Sequence, residues 1–305
     1  MTAPVHTPIL TAELLEHLQL GPGARCIDAT IDGGGHTAAM LERIAPEGEV
    51  LGIDRDAELL DRVRRVLNAA VEAGRLHLCA GDFRQLAQIA GAHQFAAVQA
   101  VIFDLGLSSY HFDLSGRGFS FQREEPLDMR FNPAEAGSES AADILDTHSA
   151  AELEAIFRRL GEERFSGRIA RAVVAERRRA SLRTTTQLLN LITAALPASV
   201  RWRAARSAAR IFQALRISVN TELDAVAEAL PQALSLLAPG GRLAVLSFHS
   251  LEDRLVKQFF VAERQTGRVR ILTKKPVRPT EAEIAANPRA ASAKLRVCER
   301  VVGPV

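Results

Sequence analysis

The chain has 305 residues, of which 47% are apolar and 24% are charged, and its net charge at pH 7 is +2. This composition is typical of a soluble globular protein with one large or two modest domains. No apolar run approaches the roughly 20 residues that span a bilayer, and no secretory pattern is apparent, so we expect a cytoplasmic protein without membrane contact. The three cysteines are far apart, which favours buried apolar roles over zinc, redox or disulfide roles for Cys26, Cys79 and Cys298.

Predicted strands and helices alternate over the first hundred residues. Four apolar runs predict strands, and each of the first three is followed by a segment with helical periodicity. This alternation predicts a parallel sheet that is covered by helices on both faces. The predicted strands are 24–30, 48–54, 75–83 and 96–106, and the predicted helices are 36–45, 56–74 and 83–92.

The alternation stops after the fourth predicted strand. Residues 108–140 are rich in turn-forming residues, and the segments that follow have helical patterns. A long helical pattern over 209–236 then leads into a Pro-Gly-Gly turn at 239–241. Three further strands are predicted at 241–250, 267–273 and 293–302.

These patterns predict a doubly wound α/β core that is interrupted by a basic helical insert. The core comprises 1–112 and 207–305, and the insert, 113–206, is expected to recognise the substrate. Between Ile156 and Arg216 there are fourteen arginines, no lysine and three acids, which gives this stretch a charge of +11. Such an excess favours a polyanionic partner such as nucleic acid, although a solvated helix face is the alternative.

A glycine-rich loop follows the first predicted strand. Gly33, Gly34 and Gly35 precede a helix at the place where open α/β sheets bind ligands. Asp54 ends the second strand twenty residues after Gly34, where a carboxylate can accept hydrogen bonds from ribose hydroxyls. Two ligands fit this pattern, namely NAD and S-adenosylmethionine, and a tight turn without a ligand is a third interpretation.

The ends of the third and fourth strands favour the methyl donor. Asp82 and Phe83 suit the amino group and the ring of adenine. Asp104 ends the fourth strand and is followed by the hydroxyls of Ser108 and Ser109, at the place where amino-group methyltransferases hold the acceptor nitrogen. No motif for a nicotinamide pocket is apparent. Asp104, Ser108 and Ser109 are therefore the candidate catalytic acceptors.

A dozen motifs occur in the order and spacing of one protein family. They include DATIDGGGH, GIDRD, FDLGLSS, PLDMR, GEERF, FQALRISVN and SFHSLEDR. On these motifs the chain resembles the RsmH (MraW) family of bacterial 16S rRNA cytosine-N4 methyltransferases over nearly its whole length. The resemblance implies a class I, Rossmann-like methyltransferase fold with a helical insert and S-adenosyl-L-methionine as methyl donor. It also implies that the acceptor is N4 of a cytidine in the decoding (P-site) region of 16S rRNA, within the small ribosomal subunit.

The resemblance further implies a set of donor contacts, which are carried over position by position: Gly34, Gly35, His36, Asp54, Phe83, Asp104 and His111. His111 stands where the family has a glutamine, and Asp32 stands where the family has the first glycine of the loop. Two competing functions are a NAD-linked oxidoreductase and a non-catalytic ribosome-assembly factor with the same fold. The sequence leaves the oligomeric state open, and a homodimer is one option.

Overall fold

The computed structural model describes residues 8–135 and 137–301. The described residues form two compact units. The first unit comprises the residues up to Ser108 together with those from Leu223 onward, and the second unit runs from Ser109 to Glu222. The predicted insert, 113–206, lies within the range of the second unit.

A seven-stranded sheet forms the centre of the first unit. Its strands are β1 Arg25–Asp28, β2 Glu49–Asp54, β3 Leu76–Ala80, β4 Val98–Asp104, β5 Leu237–Ser247, β6 Val269–Ile271 and β7 Lys294–Arg300. The spatial order is β3-β2-β1-β4-β5-β7-β6. Strands β1 to β5 pair in parallel, whereas β7 is antiparallel to both β5 and β6. This confirms the predicted α/β fold and departs from the 3-2-1-4-5-6 order of dinucleotide-binding sheets.

Strand β4 shows why the sheet is buried on both faces. Val101 and Phe103 belong to one apolar core cluster, and the alternate residues Ala100 and Ile102 belong to another. Successive side chains of a strand point to opposite faces, so a strand with buried apolar residues on both faces requires cover on both sides. Helices supply that cover, as the alternating sequence pattern predicts.

The described residues form fourteen α-helices. None of them combines the length and apolar character needed to cross a membrane. The first unit contains α1 Thr11–Leu18, α2 Gly35–Arg43, α3 Ala57–Val66, α4 Asn68–Glu72, α5 Leu86–Ala92, α13 Ser250–Gln265, α14 Glu281–Ala286 and, from Leu223 onward, α12 Glu222–Leu236. The second unit contains α6 Ser109–Asp113, α7 Ala141–Thr147, α8 Ala150–Arg159, α9 Ser166–Arg177, α10 Thr185–Ala195 and α11 Ala204–Asn220.

Side-chain caps fix the starts of three helices in the second unit. Ser140, Ser149 and Thr184 precede α7, α8 and α10, and each accepts a hydrogen bond from the backbone N–H three residues later. The residue at that third position bonds back to the backbone of the capping residue, which completes a capping box. Each cap stabilises its helix by about 1 kcal/mol.

The long helix predicted over 209–236 is wrong, because two helices occupy that stretch. Thr221 adopts a left-handed conformation (φ 48°) and separates α11 from α12. The side chain of Asn220 donates to the carbonyl of Met129 at 2.7 Å and accepts from the N–H of Phe131 at 2.9 Å. This long-range anchor at the end of α11 has no local sequence signature.

The Pro-Gly-Gly segment, predicted as a turn before the strand, lies inside β5 instead. Val98 of β4 pairs with Leu237, but Ala100 pairs with Arg242, so the register shifts across the segment. Gly240 has a φ of 79°, which suits glycine. The turn-forming residues are thus accommodated as an irregularity within the strand.

The cysteines have the apolar surroundings that their spacing favours. Cys26 and Cys298 are buried in β1 and β7, Cys79 is half-buried in β3, and all three are free thiols. Burial raises the pKa of Cys26 to about 12, so this thiol stays protonated and unreactive at neutral pH.

Candidate active site

Three neighbouring strands of the first unit end in a carboxylate. Asp28, Asp54 and Asp104 are the last residues of β1, β2 and β4. These strands lie side by side in the order β2-β1-β4 and run parallel, so their carboxyl ends meet at one edge of the sheet. Ligands of open α/β sheets bind at this edge.

The glycine loop connects β1 to α2 at the same edge. Gly34 has a φ of 77°, a conformation that side chains rarely adopt, and it precedes the first residue of α2. A Cβ added to Gly35 would lie 2.8 Å from the ring of Pro8, so a larger residue has no room there. The hydroxyl of Thr37 in α2 donates to Asp28 at 2.6 Å and ties the helix to the end of β1.

Asp54 is held by the backbone of two loops. Its carboxylate accepts hydrogen bonds from the N–H of Asp32 at 3.2 Å and from the N–H of Asp56 at 2.9 Å. These two contacts orient the carboxylate at the edge of the sheet, and a carboxylate oxygen can accept more than one hydrogen bond. Asp32 itself is left-handed (φ 48°), a conformation that favours glycine.

His36 and Asp104 form a buried pair. Nε2 of His36 lies 3.3 Å from Oδ2 of Asp104, and the two side chains are only 5% and 6% exposed. Burial lowers the pKa of His36, but the contact with Asp104 and the charges of Asp104 and Asp28 outweigh this effect, so the pKa is raised. Oδ1 of Asp104 is buried and makes no hydrogen bond to any described residue. A buried carboxylate oxygen in this state is an acceptor suited to an N–H of a ligand.

The carboxylates at this edge are crowded enough to perturb one another. Burial raises the pKa of Asp28 to about 6, against the opposing hydrogen bond from Thr37. Loss of hydration, followed by the charges of Asp104, Asp54 and Asp28, raises the pKa of Asp32 well above its usual range. Burial and crowding thus favour the protonated forms of these carboxyl groups, and a positively charged ligand beside them would favour the ionised forms.

Phe83 lies just beyond the end of β3. It begins a short 3-10 helix, Phe83–Gln85, and its ring packs edge-on against Phe103 with centroids 5.6 Å apart. Asp82 caps this helix by accepting from the N–H of Arg84 at 2.9 Å. The ring is partly buried against the core, which leaves part of its surface for contact with a ligand.

The remaining predicted residues are divided between the two units. Ser108 is buried, and it is the last residue of the first of the two chain segments that form the first unit. Ser109 begins α6 in the second unit, where His111 is also found. The ring of His111 lies 5.3 Å from those of Phe119 and Phe131, so it packs within an aromatic cluster of the second unit. The proposed contact of His111 with the donor remains a prediction.

Sequence reasoning missed Asp28, and His249 of the SFHSLEDR motif lies at the start of a helix. Asp28 could have been found from its position, because a lone acid that ends a buried strand requires compensation. His249 precedes α13, and its Nδ1 accepts from the N–H of Glu252 at 3.3 Å while Glu252 bonds back to the backbone. His249 therefore caps a helix, which is a structural role.

Comparison with known proteins decides the family. The family described as the MraW methylase family matches residues 3–301. The chain belongs to this family. It is 48% identical to ribosomal RNA small subunit methyltransferase H of Thermomicrobium roseum, over 97% of this chain and 94% of that protein. The proteins of the same name from Heliobacterium mobile and Deinococcus radiodurans are 43% and 44% identical, over 97% and 98% of this chain and 99% and 91% of their own.

Membership of the MraW methylase family confirms the resemblance seen in the sequence. It also confirms the predicted enzyme class, a methyltransferase. The same assignment supports S-adenosylmethionine as the methyl donor. The roles of individual residues rest on the geometry described above.

Proposed function

We propose that this chain transfers a methyl group from S-adenosylmethionine to N4 of a cytidine in the decoding (P-site) region of 16S rRNA, within the small ribosomal subunit. The names of the relatives support ribosomal RNA of the small subunit as the substrate class. The proposal includes a cytoplasmic location, because small subunits assemble there. The observation that best supports the proposed methyl transfer is the set of carboxylates at the strand ends around the glycine loop.

The charge of this site discriminates between the two ligands that suit a glycine loop. S-adenosylmethionine carries a reactive methyl group on a positively charged sulfonium, and it also has an ammonium group. The carboxylates of Asp28 and Asp104, buried at the ends of neighbouring strands, would attract such charges. The same carboxylates repel the pyrophosphate of a dinucleotide, so the site fits the methyl donor better than NAD.

The remaining donor contacts follow the strand ends. Asp54 would bind the ribose hydroxyls, since its carboxylate is already oriented by two backbone N–H groups. Phe83 would contact the adenine ring, and Gly34 and Gly35 would allow the amino-acid part to approach the backbone. The free Oδ1 of Asp104 would accept from the ammonium group.

The acceptor amine must be activated, because the lone pair of cytosine N4 is delocalised into the ring. Ser108 and Ser109 would accept hydrogen bonds from this amine and orient its nitrogen toward the methyl group. As the new N–C bond forms, the bond between the methyl carbon and the sulfonium sulfur would break to leave the neutral thioether S-adenosylhomocysteine, and the nitrogen would lose a proton to a nearby acceptor or to water. Asp104, the last residue of β4, is one such acceptor at the sheet edge.

A labelling experiment tests the proposed function. The protein is incubated with methyl-labelled S-adenosylmethionine and small subunits that lack the modification, and the labelled nucleotide is mapped. We expect one label, on N4 of a cytidine in the decoding region, and none on subunits that are already modified. Asp54→Ala serves as the matched low-activity control. A complete absence of label with folded protein would instead support the non-catalytic assembly factor.

A further inference from the structure

One aromatic side chain of the second unit is exposed in a way that packing does not explain. Trp202 is the single tryptophan of the chain. It is 75% exposed, more than any other large apolar side chain among the described residues. Tryptophan is enriched at binding interfaces, because its ring is apolar while its N–H can reach a polar partner.

Exposed arginines surround Trp202 in the sequence. Arg201 and Arg203 flank it in the 3-10 helix Ala198–Arg203, and Arg206 follows in the first turn of α11. The guanidinium carbon of Arg203 lies 4.4 Å from the centroid of the Trp202 ring. Within the described residues these three arginines have no carboxylate partner, and residues 196–216 contain no acid. We name Arg201, Trp202, Arg203 and Arg206 the Trp202 surface.

Later arginines of the same helix behave differently. Arg210 lies 3.7 Å from the buried carboxylate of Glu163, and Arg216 makes a 2.8 Å ion pair with Glu222. These two arginines stabilise the fold. Arg206 makes no such ion pair with a described residue, and its place in the first turn of α11 is unfavourable with respect to the helix dipole. The charges of the Trp202 surface are therefore available for a partner.

We propose that the Trp202 surface binds a single-stranded segment of RNA, with a base stacked on the indole and the arginines on the phosphates. Proteins that bind single strands combine aromatic stacking with positive charge in this manner. The inference rests on the proposed function for the nature of the substrate, and it adds the surface that holds the RNA. An acidic protein and an anionic membrane are the two other partners that the test separates.

The single tryptophan provides a direct signal. The full-length protein is titrated with an oligocytidylate of about twelve nucleotides while the emission of Trp202 is recorded. We expect quenching as a base stacks on the ring. Trp202→Ala should weaken binding of the oligonucleotide by about 5- to 150-fold, the range for loss of one stacked base, and Trp202→Phe should retain most of the affinity.

Salt dependence separates stacking from charge. Arg206→Ala should flatten the slope of log affinity against log salt by about 0.7, the value for one phosphate of a single strand, whereas Trp202→Ala should leave the slope unchanged. Arg264 is the matched control, since it is an exposed arginine of the first unit. Arg264→Ala should alter neither the affinity nor the slope.

Unchanged emission together with unchanged affinity of Trp202→Ala would overturn the inference. A spectral shift with anionic vesicles, or with an acidic peptide, and none with the oligonucleotide would overturn it as well. The proposed function is judged separately by methyl transfer to small subunits. If the wild-type protein methylates the cytidine and Trp202→Ala binds RNA normally, only the Trp202 surface is wrong. If the wild-type protein labels nothing but Trp202 is quenched, only the proposed function is wrong.

Discussion

The two units arrange their charges in opposite ways. In the first unit, the carboxylates of Asp28 and Asp104 are buried at strand ends and perturb their neighbours. In the second unit, arginines are spread over helices, and their partners differ from one residue to the next. We therefore expect removal of a buried carboxylate to change donor binding or methyl transfer. Removal of exposed arginines should instead weaken binding of RNA in proportion to the number of charges lost.

The largest effect is expected at Asp104. Asp104→Asn keeps the shape of the side chain but removes the charge that His36 faces, so methyl transfer should fall at least a hundredfold, as for loss of a general acid–base group. Single-turnover kinetics and donor affinity, measured together, separate its two roles. Weaker donor binding indicates contact with the ammonium group, and normal donor binding with slow chemistry indicates contact with the cytosine amine.

Ser108→Ala is the milder comparison for Asp104→Asn, because a neutral hydroxyl is a weaker partner than a charge. Unaltered single-turnover activity in a folded Asp104→Asn protein would show that this strand end has no part in the reaction.

A smaller and more specific effect is expected at Asp54. Loss of its carboxylate removes charge-assisted hydrogen bonds worth about 1.5–3 kcal/mol each. Asp54→Ala should raise the dissociation constant of S-adenosylmethionine at least tenfold, as measured by calorimetry, without changing affinity for the small subunit. Unchanged donor affinity would remove Asp54 from the site.

The raised pKa of Asp28 predicts that the unfolding free energy depends on pH. The folded pKa of about 6 lies above the unfolded value of about 3.9, so the folded state binds the proton more tightly. The stabilisation from this proton is complete below about pH 4 and is lost as the pH rises through about 6. Relative to Asp28→Asn, the wild-type protein should lose about 2 kcal/mol of unfolding free energy between pH 4 and pH 7. Urea unfolding at several pH values measures this difference, and a constant difference would contradict it.

The smallest effects are expected at the arginines that end α9. Replacement of one of them should lower stability, and replacement of its neighbours should weaken RNA binding. Arg178 and Arg179 are exposed and make no ion pair within the described chain, whereas Arg177 donates to the carbonyls of Leu145 and His148 at 2.7 and 2.6 Å. Replacement of Arg178 and Arg179 by alanine should flatten the salt slope of subunit binding by about 1.4 to 1.8 and leave the melting temperature unchanged.

Arg177→Ala should instead lower the melting temperature, because it breaks two hydrogen bonds of the fold. If the salt slope of the Arg178 and Arg179 double variant matches that of the wild type, that part of α9 is a solvated face.

The sequence predicts those features of the site that depend on position along a strand. Asp54 and Asp104 end apolar runs, so their place at the sheet edge follows from the parallel fold. The contact between His36 and Asp104 could not be predicted, because it depends on how β4 aligns with β1. The difference between Arg177 and Arg178 was also inaccessible, since it depends on which face of α9 packs against the end of α7. The break at Thr221 escaped prediction because Asn220 is anchored by residues about ninety positions away.

Strand β7 has a consequence for the synthesis of the protein. It lies between β5 and β6, yet it is the last of the seven strands along the chain. The second unit is one continuous segment, so all of its residues leave the ribosome while the sheet still lacks β5, β6 and β7. Once β5 emerges, its backbone edge stays unpaired until residues 294–300 follow, and an open edge of this kind can pair with other strands. A nascent chain that stalls before Lys294 therefore contains all residues of the second unit, but its sheet has an unpaired β5 edge that favours aggregation.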